Sequence, residues 1–185
     1  LAAHLASDLK TSEAEAQYIE CLGEYPAHPL VMQYATTFYR DHNRPDDAIA
    51  LWRRAVNDVP ENFGLRSSLA TLLVQQDRAA EAETVLQESV EVFDTAGAWQ
   101  TLSAFYKNLG NTSAARKALE MAIDRAPGHS ESLQFALADL LITEGELERA
   151  SEIAESIKEP AYRNMLRGGI RLQQNNPKGA LEIFE

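Results

Sequence analysis

The sequence predicts an all-α fold, an array of antiparallel helix pairs, on three observations. Leu, Ala, Glu and Gln dominate its 185 residues, only 9 Gly and 7 Pro interrupt them, and no run of Val, Ile or Thr alternates with polar residues as a half-buried strand requires. Turn-forming residues recur at a fixed step: Pro26, Pro60, Asp94 where the proline series skips, Pro127 and Pro160, at intervals of 34, 34, 33 and 33. An alanine recurs with them, at Ala14, Ala48, Ala82, Ala115, Ala150 and Ala180.

These alanines open equivalent helices, the second of each pair. Four residues on stand Tyr18, Trp52, Leu86, Leu119, Ala154 and Phe184, and three further Cys21, Ala55, Ser89, Ala122 and Ile157, all on one helical face. A large side chain flanked by small ones suits a helix that approaches its neighbour closely while filling one hole. Cys21 is therefore expected in a core packing position. The first helices carry their own stripe, Trp99, Leu102, Ser103 and Tyr106 in one, Leu69, Ala70 and Leu73 in another. Polar turns join them at 41–46, 76–78, 109–112, 144–146 and 174–177, where Gly closes one helix and Asn, Thr or Pro opens the next.

In order, the chain reads as one solenoid over 1–185. A partial unit spans about 1–26, with a short helix from Leu1 to Leu9. Units follow over about 29–60, 63–94, 96–127 and 130–160, and a partial one over 161–185. In the last, either Gly168 or the Leu166/Ile170 pair takes the packing positions. Leu181, Ile183 and Phe184 have no following unit to cover them, so the chain is expected to be part of a longer one or to be covered there by a partner.

The balance of 28 acidic to 17 basic residues, net −11, repels phosphate backbones and anionic lipid, so neither nucleic acid nor membrane is the expected partner. No stretch approaches the roughly 18 apolar residues of a membrane-spanning helix. A single cysteine excludes an internal disulfide, and the compartment stays open between cytoplasm and bacterial periplasm. The four histidines, His4, His28, His42 and His129, are dispersed, and no H-E-x-x-H, phosphate-cradling glycine loop or G-x-S-x-G elbow occurs. No catalytic residue, metal or cofactor is expected.

Together these residues resemble the tetratricopeptide repeat family, whose pattern is W-x2-L-G-x2-Y, then A-x3-F, then P. The unit at 96–127 matches it with Trp99, Leu102, Tyr106, Ala115, Leu119, Ala122 and Pro127, with Ser103 in place of the glycine. The resemblance implies a right-handed superhelix whose concave face is lined by the first helices and usually holds the ligand. Carried onto this chain, that groove presents Gln33, Thr37, Arg40, Ser67, Thr71, Gln100, Ala104, Lys107, Phe135 and Asp139. The cations and amides with which co-chaperone members grip an acidic tail are missing from these places. Arg163, Arg167 and Arg171 form a cationic stripe that could grip an acidic segment or pair with glutamates of the preceding unit. Glutamates concentrate on the second helices, as a solvated outer face or a docking surface for a basic partner.

Two functions of different class follow. One is a scaffold that holds a peptide or helix of a partner protein in the groove. The other is a structural array inside a larger assembly, such as a bacterial envelope or exopolysaccharide export machine, joined through array ends, self-association at the last unit, or the convex face.

Overall fold

The computed structural model describes residues 11–126, 128 and 130–184. The helix expected over Leu1–Leu9, the turn residues Pro127 and His129, and Glu185 lie outside them. Among the described residues the chain is helical throughout: α1 Thr11–Glu24, α2 Pro29–Asp41, α3 Pro45–Asp58, α4 Phe63–Gln75, α5 Ala79–Phe93, α6 Ala96–Asn108, α7 Thr112–Arg125, α8 Glu131–Glu144, α9 Leu147–Ser156, α10 Pro160–Gln173 and α11 Pro177–Phe184. Two compact units divide the chain, Leu1–Ser89 and Val90–Glu185.

Helix starts follow local chemistry. Pro29, Pro45 and Pro160 occupy first-turn positions, where a missing N–H costs nothing. Asn62, Thr95 and Asn111 accept side-chain caps from the N–H groups of Leu65, Ala98 and Ala114. Among the described residues each first helix ends in the same turn. The N–H groups of Arg44, Arg78, Asn111, Glu146 and Asn176 reach back to the carbonyls of Tyr39, Leu73, Tyr106, Leu141 and Arg171, at 2.8 or 2.9 Å. The residue before each donor is left-handed: Asn43, Asp77, Gly110, Gly145 and Asn175, with φ between 55° and 82°. This six-to-one closure satisfies the helix-end carbonyls and turns the chain back on itself. Glycine fills the position twice; elsewhere Asn and Asp tolerate it.

Small residues recur at a fixed spacing of twelve within the described pairs. In the first unit Ala48 and Ala82 head α3 and α5, fully buried, and Thr36 and Ala70 stand twelve residues before them on α2 and α4. Ala14 heads α1 in a core with Tyr18, Ala35, Phe38 and Tyr39. In the second unit the same spacing relates Ser103 to Ala115, Ala138 to Ala150 and Gly168 to Ala180, all buried. Ser103 fits where the family pattern has glycine because its buried hydroxyl donates to the Ala115 carbonyl at 2.7 Å. At Gly168 a Cβ would stand 2.5 Å from the Phe184 ring, so glycine permits that approach. Leu166, Gly168 and Ile170 are all buried, so the last first-helix uses both alternatives that the sequence left open. Around these contacts Leu119, Leu133, Leu137, Leu140 and Leu141 form the second unit's core, each side chain stabilising by about 1.5–3 kcal/mol through burial.

Two expectations fail. Cys21 is exposed, whereas its equivalents Ala55, Ser89, Ala122 and Ile157 are buried. The core against which α1 packs reaches only its first two turns, through Ala14 and Tyr18, and Cys21 lies one turn further on. Pro160 does not close a unit as Pro26 and Pro60 do; it opens α10. The preceding α9 is 10 residues long, and Ile157 follows it directly into the core. The short link is held by the Glu131 carboxylate, which accepts from the backbone N–H groups of Lys158 and Glu159 at 3.0 and 3.1 Å.

Many glutamates of the second helices are paired rather than merely solvated. Arg44, just before α3, binds Glu15 of α1 through two nitrogens at 2.7 and 2.9 Å and Asp47 one turn on at 2.6 Å. Arg78, thirty-four residues later, repeats this with Asp46 and Glu81. In the second unit the signs reverse: Glu146 before α9 pairs with Arg116 of α7 and with Arg149. Asp94, the substitute for a proline, takes the left-handed φ of 41°, accepts the Trp99 indole N–H at 2.9 Å and pairs with Arg125. Tyr39 donates to Glu15, and burial together with that carboxylate pushes its phenol up to about 12.

Ala115→Leu should overpack the α6/α7 contact and lower stability by about 1–3 kcal/mol in urea unfolding, while Ala104→Leu on the exposed face of α6 should change it by under ~0.5 kcal/mol. Equal effects would contradict the packing assignment. The hydrogen bonds from Arg44 hold Glu15 below its ordinary 4.5. A depressed carboxylate contributes stability that is present above the unfolded value and is lost as pH falls through the folded one. Glu15→Gln should therefore flatten the decline of the melting temperature below about pH 4.5; an unchanged slope would remove Glu15 from the account.

Candidate functional site

The first helices of the first unit build a continuous hollow. A cleft of about 490 Å³ is lined mainly by residues of α2 and α4 together with Trp52 of α3, and it contains Gln33, Thr37 and Arg40. A second cleft of about 240 Å³ contains Ser67 and Thr71. Thr36, Trp52 and Ser68 line both, so the two run into one another. Five of the residues expected in the groove are thus brought to one hollow. Sequence reasoning missed Trp52, Thr36, Asn62, Ser68 and Gln75 as part of it. The spacing places Trp52 in the core of the second helix, yet its half-buried side chain lines both clefts beside residues of α2 and α4.

The polar groups here have spare capacity. Thr36 donates its hydroxyl to the Met32 carbonyl at 2.7 Å and accepts the Trp52 indole N–H at 2.9 Å, which fixes the ring. Thr71 donates to the Ser67 carbonyl at 2.9 Å. Asn62 spends its carbonyl oxygen on the Leu65 N–H at 3.3 Å and keeps its amide nitrogen. Among the described residues no side-chain hydrogen bond engages Gln33, Thr37, Ser68 or Gln75. Arg40 carries the one formal charge in the lining and is strongly exposed, with Asp41 at 3.4 Å as a weak partner. The volume falls in the range of ordinary ligand clefts, roughly 300–1,000 Å³.

In the second unit three of the five corresponding residues are engaged with other side chains. Lys107 of α6 pairs with Asp139 of α8 at 2.7 Å. Phe135 is half-buried and its ring lies 5.0 Å from that of Tyr162 on α10. Gln100 and Ala104 are exposed on α6. The arginine stripe of α10 divides: Arg167 is held by Glu155 of α9 through two hydrogen bonds at 2.9 and 2.6 Å, Arg163 is half-buried and donates to the Ile157 carbonyl at 3.4 Å, and Arg171 is exposed. The depressed carboxyl of Glu155 has that Arg167 contact as its leading cause. Among the described residues no group of three or more His, Cys, Asp or Glu could hold a metal ion, and no helix is long and apolar enough to cross a membrane.

Two family models, each of the tetratricopeptide repeat, match the chain, one over residues 39–104 and one over 96–129. No curated protein matches it. Solved structures with the same fold include MamA, at 20% identity over 79% of this chain and 88% of that one with a TM-score of 0.58. They also include YrrB, described as having an unusual peptide-binding site, at 15% identity over 90% and 88% with a TM-score of 0.58. PilW, a type IV pilus biogenesis factor, matches at 16% identity over 99% and 87% with a TM-score of 0.59. At these identities the likeness is one of fold.

Proposed function

This chain belongs to the tetratricopeptide repeat family, and on that premise we propose that it is a non-catalytic scaffold holding a peptide or helix of a partner protein on the face of its first helices. The observation that carries the reading is the joined hollow of the first unit. Unengaged amides and hydroxyls there surround an indole held in place by Thr36. An unpaired polar group is a cost in any dry interface, so a partner that meets these groups gains over one that does not. YrrB, with its peptide-binding site on the same fold, supports the reading by analogy. Binding depends little on salt, because one exposed cation stands among the lining residues.

A second reading has its own observation. Leu181 and Phe184 on α11 are 60% and 59% exposed, an apolar face suited to packing against another element. On this reading the chain is an assembly array in a larger machine, as the likeness to the pilus biogenesis factor PilW suggests by fold.

The double variant Gln33→Glu with Thr71→Glu, both on the hollow's rim, separates the two. Immobilised beside the parent chain in lysate of the source organism, it should recover at least tenfold less of the partner, equivalent to about 1.4 kcal/mol. Asn57→Glu, on the exposed side of α3, should recover as much as the parent. Equal recovery by all three would reject the first-helix face and favour assembly through the ends.

A further inference from the structure

We propose that Trp52 is the specificity-determining residue of the first unit's hollow and seats a proline ring of an extended peptide, whose carbonyls are met by the side chains around it. This deepens the reading of the first-helix face as a peptide site and rests on it.

The indole is out of the ordinary for its place in the repeat. Its equivalents Leu86, Leu119 and Ala154 are buried in the cores of their second helices. Trp52 instead lines both clefts at their junction. Its one polar group is already spent, since the indole N–H donates to Thr36 and Thr36 in turn donates to the Met32 carbonyl. What Trp52 offers a ligand is therefore flat apolar surface in a fixed orientation. A ring stacks on such a surface with little loss of side-chain freedom.

The surrounding groups select the backbone that carries the ring. The amide nitrogens of Gln33, Asn62 and Gln75 and the hydroxyls of Thr37 and Ser68 can donate, and all five line the hollow. An α-helical ligand has its own carbonyls satisfied and binds through an apolar stripe. Here Met32 and Leu65 are buried, which leaves Trp52 and half-buried Leu72 as the larger apolar surfaces. A polyproline-type segment is the complement. It makes no internal hydrogen bonds, presents its carbonyls outward, and lacks an N–H at each proline, so a donor-rich wall satisfies it without leaving ligand donors stranded.

The test pans a random twelve-residue phage-displayed peptide library on the chain, with counter-selection on the Gln33→Glu, Thr71→Glu variant. The leading peptide is synthesised and titrated against Trp99→Phe, in which Trp52 is the remaining tryptophan of the 2 in the sequence. Should that variant fold poorly, the parent chain is titrated with Trp52→Phe as the blank. The proposal expects a proline at one fixed position, a shift in Trp52 emission on binding, and a loss of at least tenfold for both proline→Ala in the peptide and Trp52→Phe in the chain. Peptides that bind without moving the emission, tolerate loss of proline, or carry instead an aromatic anchor or helical apolar spacing would overturn the proline seat and leave the first-helix face intact. Failure to enrich any peptide over the double-glutamate variant would overturn the reading beneath it.

Discussion

The structure depends on one repeated constraint: a buried alanine near the start of each second helix and, among the described pairs, a small or short-chain residue twelve positions before it on the first. Interiors are packed to crystal-like density, so the side chains at this point set how near two helix axes come. Thr36, Ala70, Ser103, Ala138 and Gly168 take the first-helix side, and Ala48, Ala82, Ala115, Ala150 and Ala180 the other. The separation of twelve also fixes the turn between them. A six-to-one closure with one left-handed residue is what returns the chain in that span, and it occurs at all five places.

With the helices this close, each pair buries one side of each helix and leaves the others for neighbours or solvent. The charges decorate that frame and contribute modestly. Arg44 and Arg78 each tie the start of a second helix to the preceding second helix, and Glu146 does so with the sign reversed. Such exposed pairs are worth about 0–1 kcal/mol each. Their stronger effect is on register, because each one fixes the start of a helix against its predecessor.

Much of the frame was legible because it is encoded in spacing. The alanine series, the stripe of Trp99, Leu102, Ser103 and Tyr106, and the polar turns depend on sequence distance, which is directly readable. What depends on pairs distant in sequence was not. Lys107 and Asp139, thirty-two residues apart, read as two separate groove residues, and the pairing between them was not readable from spacing. Cys21 shares the pattern of buried small residues, yet the core that meets α1 ends before it. Trp52 is the instructive case. At a position whose equivalents Leu86, Leu119 and Ala154 are buried, its half-buried ring lines the hollow of the first unit. A bulky aromatic at a packing position with a small polar residue sixteen before it, as Thr36 stands to Trp52, is the signal that could have been read.

The functional account rests on an asymmetry between units. In the first, the face of the first helices holds polar side chains with nothing to bind; in the second, Lys107, Asp139 and Phe135 are already engaged. Recognition accordingly centres on α2 and α4. Amide chemical shifts of the isotope-labelled chain, followed as a bound peptide is titrated in, test this most directly. The account predicts that the largest changes fall at Gln33, Thr37, Ser67, Ser68, Thr71 and Gln75, with a change at the Trp52 indole N–H. Changes confined to the second helices around Glu81 and Glu88, or to α11 at Leu181 and Phe184, would contradict it.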